Sequence, residues 1–251
     1  MLKKRIIPIV LIDGFSVLKT KRFKDRRNLG SPITVVLTYE ARDVDELIIL
    51  DIDASKQGRT VDPWLISDIT DECFMPLSVG GGIKTCKDVE QLLRNGADKI
   101  VLNTLLFEDL GEVERMILEF GSQCISASLD FQEMDGSPWL INSGVVRNDL
   151  DPGEFIQRVE DTGVGELIIT DVDREGAMQG CRLDLFKSIA SHVQHVPLVA
   201  HGGVGNPCDV ADLLAAPEID AVAAASIFHF TEHTPKDCAL RSKQREVSVR
   251  V

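Results

Sequence analysis

Asp130 ends the apolar run C-I-S-A-S-L-D, and the glycine pairs Gly81-Gly82 and Gly202-Gly203 each follow another such run. A carboxylate at the end of a strand can give or take a proton during catalysis. Because a polar loop follows soon after, an Asp that caps a turn is the plainer reading to set beside it. A Gly-Gly turn between strand and helix lets backbone N–H groups approach an anion closely, with the positive end of the helix behind them. One such turn is more often a tight connection than a ligand site. Here it occurs twice, and each time the next apolar run ends in small polar residues, Asn103-Thr104 after the first and Ser226 after the second. A substrate with a phosphate at each end fits two such sites.

Eight apolar runs supply the frame for these residues: I-I-P-I-V-L-I, E-L-I-I-L-D, P-L-S-V-G, K-I-V-L-N, C-I-S-A-S-L-D, E-L-I-I-T-D, P-L-V-A-H and A-V-A-A-A-S. Segments with helical spacing lie between them, such as Val89, Leu92 and Leu93 before Gly96, or Phe155, Ile156 and Val159 before Gly163. Eight alternations over 251 residues predict an α/β fold, a single TIM (β/α)8 barrel with its site at the C-terminal ends of the strands. The chain also repeats itself. M-P-L-S-V-G-G-G-I-K-T from Met75 aligns with V-P-L-V-A-H-G-G-V-G-N from Val196, and E-L-I-I-L-D-I-D from Glu46 with E-L-I-I-T-D-V-D from Glu166. The barrel is therefore read as two fused (βα)4 half-barrels, about 1–120 and 121–240, within one domain spanning 1–251. Under that repeat the mate of Asp130 is Leu11, an alkyl group opposite a carboxylate. Asp13 shares strand parity with Leu11 and is the candidate substitute, about 6.6 Å farther along if the strand persists.

The formal net charge is -13, from 27 Lys+Arg against 40 Asp+Glu. This opposes binding along a nucleic-acid backbone and leaves phosphate recognition to local groups. Lys3, Lys4 and Arg5 give Met1 to Ile12 the outline of a signal peptide, but Pro8 interrupts the run and no small-residue cleavage site closes it. No stretch approaches bilayer-spanning length, so the expectation is a cytoplasmic protein without membrane contact. Six dispersed cysteines, Cys73, Cys86, Cys124, Cys181, Cys208 and Cys238, form no C-x-x-C pair, which argues against a disulfide framework or zinc ribbon and predicts mostly buried thiols. His192 with His195, and His229 with His233, lack a third ligand at a known spacing, so neither a metal nor a cofactor is expected. The basic cluster Lys21, Arg22, Lys24, Arg26 and Arg27 reads as a solvated loop, with closure over a phosphorylated substrate as its functional alternative. Phe131 to Leu140 reads as a hairpin beyond the fifth strand.

K-R-I-I-P, D-E-L-I-I-L-D-I-D-A-S, V-G-G-G-I, G-A-D-K-I-V-L-N-T, F-G-S-Q-C-I, D-V-D-R-E-G and A-A-A-S-I-F-H-F together cover nearly the whole chain, and they resemble the cyclase subunits of imidazole glycerol phosphate synthase in histidine biosynthesis. The resemblance implies a lyase/cyclase that works as a heterodimer with a glutaminase subunit. Ammonia released by the partner passes through the barrel and reacts with a bis-phosphorylated ribulosyl substrate, giving imidazole glycerol phosphate and an aminoimidazole carboxamide ribotide. Residue by residue, Asp130 matches one of two catalytic aspartates and Lys19 a substrate-contacting lysine. Gly82, Asn103 and Thr104 match one phosphate site, and Gly203, Ala225 and Ser226 the other. Arg5, Glu46, Lys99 and Glu166 match a ring of alternating charges that gates ammonia at the opposite end; a salt-bridge ring that merely seals the barrel floor is the plainer reading. Asp98 matches a position near the face where the glutaminase docks.

The departures from that pattern are local. Leu11 stands where the other catalytic aspartate is expected, Glu175 and Ala177 replace the Asp and Thr of a D-R-D-G-T loop, and His201 replaces a small residue before Gly202-Gly203. Leucine transfers no proton, and an acid or base contributes about 10²–10⁴ in rate. A leucine in strand one beside a retained charge ring resembles a divergent branch of the family associated with surface sugars, whose first strand also ends in K-T, here Lys19-Thr20. That resemblance implies the alternative: an ammonia-conducting barrel with lost or altered cyclase activity that supplies an amidotransferase making acetamidino sugars. A two-aspartate sugar isomerase of the same pathway would share the phosphate turns without requiring all four ring charges.

Overall fold

A strand buried on both faces loses the alternation of a half-buried one and reads as a continuous apolar run. In the computed structural model, which describes residues 3–250, the eight runs are strands of this kind. Met1 and Leu2, at the head of the signal-like run, and Val251 lie outside the described residues. The strands are β1 (Arg5–Asp13), β2 (Leu47–Asp51), β3 (Leu77–Gly80), β4 (Lys99–Leu102), β5 (Ile125–Met134), β6 (Glu166–Asp171), β7 (Leu198–His201) and β8 (Ala221–Ala224). Each pairs in parallel with the next, and β8 closes on β1 from Arg5↔Ala221 to Pro8↔Ala224. The fold is a closed (β/α)8 barrel.

Two apolar layers follow from the period of two along each strand. Along β1, Ile7, Ile9 and Leu11 join Ile48, Val101 and Ile168 inside the barrel. Ile6, Val10 and Ile12 pack outward with helix residues such as Val36, Leu65 and Val89. Burial of each such side chain is worth about 1.5–3 kcal/mol, which is why no polar residue interrupts β1 between its end residues.

The Gly-Gly turns have a packing reason of their own. Gly81 and Gly202 have φ of 136° and 112°, and a Cβ on either would lie 2.7 Å from the carbonyl oxygen of Asp51 or Asp171. Only glycine fits this approach. The helices after the turns, Cys86–Arg94 and Pro207–Ala215, begin with reciprocal capping boxes, Thr85 with Asp88 and Asn206 with Asp209.

Two sequence expectations are overturned and a third is met. The basic cluster is not a loop: Ser16–Lys21 and Lys24–Gly30 form an antiparallel hairpin that continues β1 through Leu11↔Leu18 and Asp13↔Ser16. Its second strand is almost wholly exposed, so it needs no apolar side and leaves no alternation to read. The cysteines are not mostly buried. Cys73 and Cys238 are; the other four are partly exposed, Cys86 and Cys208 at helix starts, and all six are free thiols. The hairpin after β5 is present, with Ser137–Asn142 paired from Asp130↔Ile141 to Met134↔Ser137. Among the described residues no helix is long and apolar enough to cross a membrane.

Candidate functional site

A cavity of about 540 Å³ opens at the C-terminal ends of the strands. Two rows of residues at its base are set by strand register. In the first half Leu11 pairs with Leu50 and Leu50 with Gly80; in the second Asp130 pairs with Thr170 and Thr170 with His201. All six line the cavity. The repeat that equates Leu11 with Asp130 also equates Leu50 with Thr170 and Gly80 with His201.

Asp130 keeps some accessible surface but is enclosed by protein, as a group at the base of a cavity must be. Burial pushes its carboxyl up to about 6, the charge of Glu175 adds to this, and the hydrogen bond from Asn103 and the neighbouring Thr170 hydroxyl oppose it. Asn103 Nδ2 lies 3.0 Å from Asp130 Oδ2. His201 is buried, and burial alone pushes its imidazole down to about 4, so it is neutral at pH 7. Its Nδ1 lies 3.4 Å from Thr170 Oγ1. Glu175 is a buried cavity residue whose carboxylate accepts from Thr20 Oγ1 at 2.9 Å and from the Phe23 N–H at 3.1 Å. Burial raises its carboxyl above the ordinary range, although these bonds and the charge of Lys19 pull the other way.

Asp13 does not join this group. β1 turns at Gly14 into the hairpin, and the Asp13 carboxylate lies 3.4 Å from Arg59 Nη2 and 4.0 Å from Arg26 Nη1, outside the cavity lining. Lys19 also lies outside the lining, with its Nζ 4.9 Å from the centroid of the Phe230 ring. The two expected phosphate sites differ. Gly82, Asn103 and Thr104 line the cavity, with Lys56 and Lys84 at the same end and Ser55 Oγ 3.3 Å from Thr104 Oγ1. Gly203, Ala225 and Ser226 do not line it; Gly203 and Ser226 are buried, and the Gly203 carbonyl accepts from the Gly180 N–H at 2.9 Å. A Cβ at Gly82 would lie 1.9 Å from the Arg59 carbonyl, and one at Gly203 2.4 Å from that of Gly180. Close packing thus requires both glycines with or without a ligand.

At the other end of the barrel Arg5, Glu46, Lys99 and Glu166 meet in a ring. Arg5 Nη1 lies 2.8 Å from Glu46 Oε2, Lys99 Nζ 2.8 Å from Glu46 Oε1 and 3.8 Å from Glu166 Oε2, and Arg5 Nη2 also bonds Glu166 Oε1. Burial alone would raise the Glu46 carboxyl, but Lys99 and Arg5 hold it below its usual range. Asp98 is exposed, and its carboxylate accepts from the Leu77 N–H at the start of β3, as that of Asp220 does from Leu198 at the start of β7. A strand-start contact thus accounts for the residue type whatever docks nearby.

Sequence patterns single out neither Thr170 nor Thr20. The signal for Thr170 was a mismatch inside the repeat, E-L-I-I-T-D against E-L-I-I-L-D. Thr20 gains its role only when the hairpin folds onto Glu175, which no spacing reveals. Among the described residues no three His, Cys, Asp or Glu side chains converge as metal ligands.

The profile of the family described as histidine biosynthesis protein matches residues 5–234. A Campylobacter jejuni protein provisionally named imidazole glycerol phosphate synthase subunit hisF2 is 41% identical over 251 residues, covering 100% of both chains. A Pseudomonas aeruginosa protein with the same provisional name is 37% identical over 232 residues, 92% of each chain.

Proposed function

The chain belongs to the histidine biosynthesis protein family, and on that premise we propose that it is a cyclase-type barrel subunit of imidazole glycerol phosphate synthase, a lyase that uses ammonia from a glutaminase partner on a bis-phosphorylated ribulosyl substrate. The observation that carries this reading is the pairing of two ends on one barrel: a closed ring of Arg5, Glu46, Lys99 and Glu166 at the floor, and a cavity with a proton-active carboxyl, Asp130, at the top. A group with a pKa near 6 is well placed for general acid–base work at neutral pH. One phosphate sits at Gly82, Asn103 and Thr104, where Lys56 and Lys84 add positive charge. The other sits at Gly203, Ala225 and Ser226, and its binding requires the segment over Gly203 to move. Asp98 lies on the face that meets the glutaminase.

The test is direct: the purified chain, given ammonium and the bis-phosphorylated ribulosyl substrate, is expected to release imidazole glycerol phosphate and the aminoimidazole carboxamide ribotide. Leu11 favours a second reading, in which the barrel conducts ammonia to an amidotransferase making acetamidino sugars. Absence of product in that assay, with ammonia still transferred from a glutaminase to a separate acceptor enzyme, would select it.

A further inference from the structure

Ring closure needs groups that both take and give protons, and at the strand-one position this chain has an alkyl group. We propose that His201 is the second proton-handling group of the cavity, joined to Asp130 through the Thr170 hydroxyl, so that one half-barrel carries the acid–base apparatus and the Leu11 half carries none. The proposal rests on the cyclase-type reading for its substrate. Its geometry comes from three adjacent strands.

Asp130 on β5, Thr170 on β6 and His201 on β7 stand side by side in register. Their mates in the repeat are Leu11, Leu50 and Gly80, none of which can move a proton. At Gly80 a Cβ would lie 2.8 Å from both Leu50 Cδ2 and the Val101 carbonyl oxygen, so the first half has no room there for the group that the second half presents. His201 Nδ1 faces the Thr170 hydroxyl, and among the described residues no protein group bonds the other ring nitrogen. Nε2 is therefore the atom that a substrate in the cavity would meet.

The imidazole can pass a proton without storing it. A proton leaving the substrate bonds to the Nε2 lone pair, the Nδ1–H proton passes to the Thr170 oxygen, and the Thr170 hydroxyl proton passes to the Asp130 carboxylate. One N–H bond forms and one breaks on the ring, one O–H bond forms and one breaks on Thr170, and Asp130 ends as the carboxylic acid. The imidazole has exchanged tautomers and stayed neutral, as its burial demands. Run backwards, the same steps deliver a proton from Nε2–H to a leaving group, so one relay serves as base and then as acid. The charged group facing Asp130 is Glu175, whose carboxylate favours the protonated form of Asp130; Asn103 opposes it as a neutral donor.

The experiment follows the His201 imidazole by nitrogen NMR in the full chain between pH 5 and 8. The expected result is a ring neutral throughout, protonated at Nδ1 while Asp130 is ionised and at Nε2 once Asp130 is protonated, with the change lost in Asp130→Asn. A ring that becomes cationic near its ordinary pKa, or a tautomer indifferent to Asp130, overturns the relay. A second arm measures turnover of the bis-phosphorylated ribulosyl substrate with ammonium. His201→Gln is expected to lower kcat by about 10²-fold or more with little change in KM; an unchanged kcat overturns the proposal. If the unaltered chain gives no turnover, the cyclase-type reading fails, and the tautomer measurement still decides the relay.

Discussion

A carboxyl with a folded pKa of about 6 and an ordinary value of 3.8 is charged at pH 7 whether the chain is folded or not, so the fold bears the cost of enclosing that charge at Asp130. The shift corresponds to about 3 kcal/mol. The cost is absent below about pH 4, grows as the pH rises toward 6 and is complete above it. Asp130→Asn removes the charge while keeping the shape, and it is expected to abolish ammonium-dependent turnover yet raise the melting temperature at pH 8, with no gain at pH 4. Thermal denaturation at the two pH values checks this, and a variant less stable than the parent at pH 8 would show that Asp130 is held by more than its charge cost. Leu11→Asp has the opposite character. It sets a second carboxylate at the base of the cavity beside Leu50, over the apolar interior of the barrel, where an unpaired, largely buried charge raises the Asp130 pKa further and destabilises the fold. The expected outcome is a lower melting temperature without a large gain in turnover; a large gain would return the second proton-handling role to strand one.

The hairpin of Ser16–Lys21 and Lys24–Gly30 is tied over the cavity at three places: Arg22 Nε donates to the Asp173 carbonyl, Arg26 pairs with Asp53, and Glu175, in the segment after β6, takes three donors. Glu175 takes the Thr20 hydroxyl and the Phe23 N–H with its carboxylate and the Arg22 N–H with its carbonyl. Loss of a buried acceptor leaves its donors unpaired, at about 1–3 kcal/mol. Glu175→Ala is therefore expected to loosen the hairpin and speed tryptic cleavage at Lys21, Arg22 and Lys24, and cleavage at the parent rate would mean the hairpin is held elsewhere. At this scale the limits of the sequence are also plain. All eight barrel strands were legible because burial on both faces writes an unbroken apolar run. The exposed hairpin was not, since solvent on both sides imposes no period on Lys24 to Gly30. Asp13 shares the parity of Leu11, yet β1 leaves the barrel for a turn before parity can bring that carboxylate into the cavity. The glycine pairs are visible in the sequence after their apolar runs, but their amino-acid type is fixed by carbonyl contacts that a sequence cannot show. The Asp130, Thr170 and His201 row depends on register between strands about 30 to 40 residues apart in sequence, and only the mismatch within the repeat hinted at it.

The whole barrel separates two kinds of electrostatics along its axis. At the top, Asp130 holds its charge without a cationic partner and ready to titrate; at the floor, each carboxylate of the ring is shared between two cations. The folded-state pKa of Glu46 is depressed, so its pairing contributes stability that is present above about pH 4.5 and is lost as the pH falls through the folded value. Lys99→Met removes the cation that lowers the Glu46 carboxyl most and leaves the buried carboxylate with Arg5 as its remaining cation. Because the ring cations remain about a quarter exposed, the loss should fall between that of a surface pair and that of a fully buried one, about 1–3 kcal/mol at pH 7. It should shrink toward zero in acid, where Glu46 is protonated in parent and variant alike. Turnover driven by added ammonium should stay within about twofold, because the floor and the acid–base row share no partners, whereas glutamine-driven turnover with the partner bound should fall if the ring gates ammonia. Asp130→Asn and Lys99→Met then move in opposite directions: the first exchanges activity for stability, and the second loses stability while ammonium-driven activity persists. A Lys99→Met chain that loses ammonium-driven turnover in step with its melting temperature would show instead that the ends are mechanically coupled, and that the ring shapes the cavity rather than closing the floor beneath it.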